Sequence, residues 1–219
     1  MTRHIERQIE SLKEKILRVG TLVEEAISKA IAALVNRDIQ LSRWVIANDE
    51  EIDRMEVEVE EECLKILALY QPVAADLRFV VAALKINNDL ERMGDLAKNI
   101  AKRVGQLARN EPVELPPELR PMAMLTQEMV KQCLDAVVNA DPALARQVRE
   151  EDDAVDESRQ QIRTRILRGI KADPEQVEAL LRMNSVSKHI ERLADMATNI
   201  AEDVIYMVEG EIVRHRSSD

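Results

Sequence analysis

Leu90-Glu91-Arg92-Met93-Gly94-Asp95-Leu96-Ala97-Lys98-Asn99-Ile100-Ala101 returns 100 positions later as Ile190-Glu191-Arg192-Leu193-Ala194-Asp195-Met196-Ala197-Thr198-Asn199-Ile200-Ala201. Seven of the twelve positions are identical, and most of the others exchange one apolar residue for another. A segment kept this closely at a separation of one small domain constrains the chain to two like halves, each able to bury a core of its own. Glu, Asp and Asn recur four apart within it. On a helix each such step turns by about 40°, so the three form a row on one face.

The duplication reaches upstream. Asn36-Arg37-Asp38-Ile39-Gln40-Leu41 matches Asn139-Ala140-Asp141-Pro142-Ala143-Leu144 at an offset of 103, and Asp49-Glu50-Glu51-Ile52-Asp53 matches Asp152-Asp153-Ala154-Val155-Asp156 at the same offset. The drop from 103 to 100 places three extra residues in the first half, in the turn around Gln71 to Ala75. Helical periodicity runs over six segments: His4 to Asn36, Ile39 to Leu69, Asp76 to Ala108, Leu119 to Asn139, Pro142 to Ile170 and Pro174 to Val208. Asp38, Asp141-Pro142 and Asp173-Pro174 are helix starts, with an acceptor at the N-cap and, in the last two, Pro at the first helical position. The Pro-rich stretch 111–117 divides a first repeat, 1–110, from a second, 118–219. Short connections favour antiparallel neighbours, so the expected fold is all-α, two tandem three-helix bundles of up-and-down helices.

Composition agrees: only 2% of the residues are aromatic and five are Gly, too few for the strands and turns of a β protein. The formal net charge of -10 excludes a nucleic-acid partner, which needs a basic face, and suits cations or basic protein surfaces. Cys63 and Cys133 have no zinc or redox spacing and read as reduced, buried small residues. The longest apolar run, Phe79 to Leu84, is far short of the ~20 residues of a membrane span, and the N-terminus shows no signal-peptide core. The expectation is a cytoplasmic protein with no transmembrane segment, peripheral to the inner membrane only by docking on a membrane complex.

In the last segment Met183, Val186, Ile190, Leu193, Ala197, Ile200 and Val204 form a core stripe, as do Ile86, Leu90, Met93, Ala97, Ile100 and Val104 in the third. Glu91 with Asp95, and Glu191 with Asp195, then face away from the core. Asp49 with Asp53, and Asp152 with Asp156, add a pair at the same spacing on the flank of the second helix of each half. Like charges four apart oppose one another by roughly 0.2–0.5 kcal/mol on an isolated helix, a cost that a bound cation reverses. Oxygen-only ligands suit Mg, Mn, Ca or oxidised iron rather than a closed structural zinc site. The plainer reading, a solvated acidic face, stays open beside the metal reading.

Asn99 and Asn199 continue the rows, either as donors behind the metal ligands or as hydrated helix surface. Arg92 and Arg192 are suited to pairing with acids on a neighbouring helix. The run Glu56, Glu58, Glu60, Glu61 and Glu62 reads as ordinary solvated surface. His189 has Asp89 at its matching position and lacks the Gly-containing context of a phosphotransfer domain. No nucleophile arrangement and no phosphate-cradling Gly loop is present, so the chain is not expected to be an enzyme. The alternative, a di-metal carboxylate helical-bundle enzyme or metal-storage protein, would call for Glu-x-x-His motifs that the chain lacks.

The cassette Ile190-Glu191-Arg192-Leu193-Ala194-Asp195-Met196-Ala197-Thr198-Asn199-Ile200-Ala201-Glu202, with its earlier copy and the upstream acid pairs, resembles the PhoU family, accessory proteins of the bacterial phosphate-specific transport system. The resemblance covers essentially the whole chain and implies two tandem three-helix bundles. It further implies a cytoplasmic negative regulator of phosphate-starvation signalling, acting with a PhoR-type sensor histidine kinase and a PstB-type transporter ATPase, often as a homodimer. Some members bind multinuclear clusters of iron or other metals, Mn, Mg or Zn among the possible ions. The resemblance carries that ligand role to Asp49, Asp53, Glu91 and Asp95 in one half and Asp152, Asp156, Glu191 and Asp195 in the other. Many relatives have His or Tyr directly after the motif Asp, where this chain has Leu96 and Met196.

Overall fold

The computed structural model of the chain describes residues 2–107 and 114–213 and consists of six long helices. These are α1 (Thr2–Asn36), α2 (Ile39–Tyr70), α3 (Ala74–Leu107), α4 (Leu119–Asn139), α5 (Pro142–Ala172) and α6 (Val177–Glu209). No strand occurs among the described residues. The expected helix end at Ala108 and residues 111–113 of the expected linker lie outside them. Asp173 caps as expected, but it opens a 3-10 turn, Pro174–Gln176, and the α-helix proper begins at Val177.

The duplication is carried down to the turns. Arg37 and Ala140, equivalent at the offset of 103, both take the left-handed backbone, with φ of 54° and 48°. The next residue folds back in the same way in each half: the Asp38 amide donates to Ala33 O at 2.9 Å and the Asp141 amide to Ala136 O at 3.0 Å. The Asp38 carboxylate then accepts from the amides of Gln40 and Leu41 at 2.9 and 3.0 Å. Asp141 accepts from Ala143 and Leu144 at 2.9 and 3.1 Å. Each cap satisfies amides that a helix start leaves open, which stabilises by about 1 kcal/mol. The connection between α2 and α3 is three residues, 71–73, and that between α5 and α6 four, Asp173 with the 3-10 turn, so the extra length of the first half goes into the end of α2 and the first turn of α3 rather than into a longer turn.

Within each half the three helices bury one common stripe. Every expected core residue of α3 and α6 is buried, and Leu12, Ile16, Val19, Val23, Ile27, Ala30 and Leu34 supply the matching face of α1 at steps of three and four. The two bundles join through α3 against α6 and α1 against α4, while α2 and α5 lie outside, each against its own half only. No helix among the described residues is long and apolar enough to cross a membrane.

Beside the acid row of the first half, α3 lies close against α2 at Gly94. A Cβ on Gly94 would stand 3.1–3.2 Å from the side chain of Ile52, so the missing methyl lets α3 settle on α2 at that level. The equivalent pair in the second half is Ala194 with Val155, one methyl larger on one side and one smaller on the other. Ala194 and Val155 are both fully buried, and Asp53 and Asp95, the next residues along in the first half, are close enough for Asp95 to act on Asp53.

Candidate functional site

The cassettes are presented identically: residues 91–100 and 191–200 share one sequence of buried, half-buried and exposed positions. Glu91 and Glu191 are half-buried and Asp95 and Asp195 exposed, turned from the core as expected. Their upstream partners correct one expectation. Asp53 and Asp156 are exposed and Asp152 half-buried, but Asp49 is 3% exposed and lies in the buried stripe of α2, between Val45 and Ile52, rather than on its flank. The reason is Lys98, whose ammonium reaches over from α3 and hydrogen-bonds the Asp49 carboxylate, letting the charge sit at core depth.

In each half the structure brings the two acid pairs together across adjoining helices. Burial, with Asp49, Asp95 and Glu50 beside it, raises the Asp53 carboxyl above its ordinary value, and Lys98 opposes this. Glu91 is raised by burial and then by Asp95, Asp53, Glu56 and Asp49. In the second half burial, followed by Asp195, Asp156 and Asp153, pushes Asp152 up to about 6, and only the nearby Thr198 hydroxyl works against them. Asp195 is raised by burial, Glu191 and Asp156, against Arg192. Carboxylates that raise one another in this way hold negative charge short of compensation.

The compensating cations differ between the halves. Thr198 stands where the first half has Lys98, so Asp152 faces a neutral hydroxyl in place of an ammonium. In exchange, Arg159 occupies the place of Glu56 and lies 3.5 Å from Glu191. The first half is thus neutralised at its Asp49 end, leaving Asp53, Glu56 and Glu91, and the second at its Glu191 end, leaving Asp152, Asp156 and Asp195. Glu56 is the acid that sequence reasoning places on the ordinary surface; burial, Glu60 and Asp53 raise it, and its spacing of three from Asp53 is the signal that points to it.

The remaining candidates fall elsewhere. Asn199 lines an open groove between α3 and α6 together with Lys85, Asp89 and Arg92, and Asn99 is half-buried at the matching position. Arg92 pairs with Asp89 of its own helix at 3.8 Å, not with a neighbouring helix as expected. Cys63 and Cys133 are free and buried, and burial raises the Cys63 thiol to about 12.

Among the described residues no three acid, His or Cys side chains already converge as a metal-holding group. The donors fit a hard cation by chemistry and by charge, being carboxylate oxygens that raise one another and lack full compensation by positive charge.

A family model described as the PhoU domain matches the chain twice, over residues 16–104 and 119–204. The chain belongs to the PhoU family. A PhoU homolog of Aquifex aeolicus (strain VF5), named as a phosphate-specific transport system accessory protein, is 40% identical over 210 residues, 96% of this chain and 95% of that protein. A homolog of the same name from Caulobacter vibrioides is 38% identical, covering 93% of this chain and 89% of its own length. The crystal structure of PhoU from Pseudomonas aeruginosa superposes with a TM-score of 0.90 at 35% identity, covering 94% of this chain and 99% of that one. The phosphate transport system regulatory protein PhoU from Streptococcus pneumoniae gives 0.88 at 31% identity, covering 95% and 99%. The two matched PhoU domains are the two three-helix bundles, and phosphate transport is the process in which the relatives are accessory proteins.

Proposed function

We propose that this PhoU-family protein is a non-enzymatic, cytoplasmic adaptor that represses phosphate-starvation signalling and modulates the phosphate ABC transporter, contacting a PstB-type ATPase and a PhoR-type kinase. The observation that carries this reading is the end-to-end match to phosphate-transport accessory proteins. The architecture suits an adaptor. Two like bundles expose two like outer faces, and Leu64 and Leu167, equivalent on α2 and α5, are 53% and 52% exposed and offer each half an apolar contact for a partner or for a second copy in a homodimer.

Metal binding is part of the proposal. The acids Asp49, Asp53, Glu91 and Asp95, with Glu56, would hold a cation in the first half, and Asp152, Asp156, Glu191 and Asp195 in the second. A bound cation supplies the positive charge that these carboxylates lack and ties α2 to α3, or α5 to α6, at the outer face. Lys98 and Arg159 already provide part of that charge, so the two halves bind unequally.

The test is a pull-down of the tagged chain from phosphate-replete cells, with Fe, Mn, Zn and Mg quantified in the same eluate. Recovery of the transporter ATPase or the kinase supports the adaptor reading, and its absence after crosslinking contradicts it. Metal that is present in the wild type and missing from an Asp152→Asn/Asp195→Asn variant supports the site. Equal metal in both removes it.

A further inference from the structure

Along the seam between the halves α3 and α6 run antiparallel: the Arg78 guanidinium donates to Met207 O at 3.4 Å, Lys85 to Asp203 at 3.2 Å, and Arg103 stands near His189 at the other end. The offset of 100 makes the two ends of this seam equivalent. At the first end an open groove of about 620 Å³ is lined by Lys85, Asn88, Asp89, Arg92, Asn199 and Glu202. Its charges cancel internally. Lys85 meets the buried Asp203, Arg92 lies 3.8 Å from Asp89, and Glu202 lies 3.4 Å from Arg149.

At the second end every one of those acids is exchanged for a base. Arg103 replaces Asp203, Lys102 replaces Glu202 and His189 replaces Asp89, while Lys188 stands for Asn88 and Arg192 keeps the place of Arg92. Three bases of the first end have no counterpart here: Arg78 gives way to Glu178, Arg149 to Ile46 and Lys85 to Ser185, whose hydroxyl lies 3.3 Å from His189 Nε2. Lys102, Lys188 and Arg192 are exposed, and Arg103 donates to Gln106 at 2.8 Å. None of these four is in an ion pair with a described residue, although Arg192 does act on Asp195, one turn along α6. The His189 ring is half-buried between these bases, and its Nδ1 is buried without a hydrogen-bond partner.

A chain with a net charge of -10 therefore concentrates five basic side chains at one end of one seam, with no carboxylate at the positions that match the lining of the first groove, and Glu178, at the place of Arg78, is paired with Arg182 at 3.0 Å. Repulsion of this kind is relieved by a multiply charged anion, and guanidinium, ammonium, hydroxyl and amide donors together suit a tetrahedral oxyanion. We propose that this end of the α3–α6 seam binds a phosphate dianion, either free or as the terminal group of a small phosphate monoester, through Arg103, Lys188 and Arg192 with Ser185 and Asn99 as neutral donors. The site adjoins the acid rows, since Asn99 ends the first of them and Arg192 acts on Asp195 of the second, but its anion contacts do not depend on the metal or adaptor reading.

Isothermal titration of the full chain, stripped of metal and kept in chelator at low ionic strength, tests it in two arms, inorganic phosphate and glycerol phosphate. Saturable binding is expected, in the first arm for a free-phosphate site and in the second for a monoester site. Lys188→Gln and Arg103→Gln should each weaken it about tenfold, the loss of one charge-assisted contact. The double change Arg103→Asp/His189→Asp, which recreates the acids of the opposite end, should abolish it, and Arg92→Gln at that opposite end should leave it intact. No saturable binding in either arm overturns the proposal. So does binding that survives Lys188→Gln unchanged, a substitution at an exposed position that does not threaten folding.

Discussion

The Lys98 ammonium of α3 is hydrogen-bonded to the Asp49 carboxylate of α2, which is 3% exposed. Half a duplication away, Thr198 faces Asp152 with no such charge. The same backbone therefore carries two electrostatic solutions, one with its cation built in and one without. Asp49 holds up the Lys98 ammonium's proton affinity in return, chiefly through that hydrogen bond.

Replacing Lys98 by Thr copies the second half onto the first and strands a buried carboxylate. Removing one partner of a buried pair costs several kcal/mol, and since Lys98 is itself about a quarter exposed the expected loss is about 2–4 kcal/mol. Urea unfolding in chelator should show it, and added Mn(II) should restore more stability to Lys98→Thr than to the wild type. Equal response to Mn(II) in both proteins would remove Lys98 as a stand-in cation.

Asp152 sets a pH dependence of definite sign. Its carboxyl titrates near 3.8 when unfolded and at about 6 when folded, so folding takes up a proton in that window. Its contribution is fully present below the lower value and is lost as pH rises through the upper one. Asp152→Asn should accordingly be more stable than the wild type above pH 6, by about 2 kcal/mol, and no more stable at pH 3.5. A difference that stays constant across this range would mean that the charge of Asp152 is not what burial and Asp195 oppose.

The Gly94 and Ile52 pair predicts a coupling. Gly94→Ala gains helix propensity but crowds Ile52, and Ile52→Val alone leaves a small void. Combined, they reproduce Ala194 with Val155. The double variant should be more stable than the sum of the single effects by about 1 kcal/mol in a denaturant double-mutant cycle. Additive behaviour would show that the two helices adjust independently of this contact.

Ala140 holds a left-handed backbone that an L side chain adopts at a cost of about 1 kcal/mol, and Ala140→Gly should relieve it. For a chain of this size that raises the melting temperature by about 2–4 °C. A lowered melting temperature would mean that the entropy cost of glycine in the unfolded chain outweighs the relief.

Much of this was legible in the residues. Asp38 and Asp141 announced their caps because an N-cap acceptor acts within three residues, and the core stripes of α3 and α6 followed from helical period alone. The depth of Asp49 was not legible, because it depends on Lys98 arriving from another helix. Glu56 looked like its exposed neighbours Glu60 and Glu61, since a helix face cannot be told from its edge until the neighbouring helix is placed. The basic end of the seam stayed hidden for a related reason. Its residues come from two helices 86 positions apart at Arg103 and His189, and only the antiparallel crossing of α3 and α6 joins them.

The most direct test of the regulatory reading is a phosphate-starvation reporter measured in phosphate-rich medium, in a strain deleted for this gene and complemented with the wild type or with a folded variant carrying Asn and Gln at the eight motif carboxylates. The expected result is reporter expression in the deletion strain, restored repression with the wild type, and failed repression with the carboxylate variant. A silent reporter in the deletion strain, with no second copy of the gene present, would contradict it.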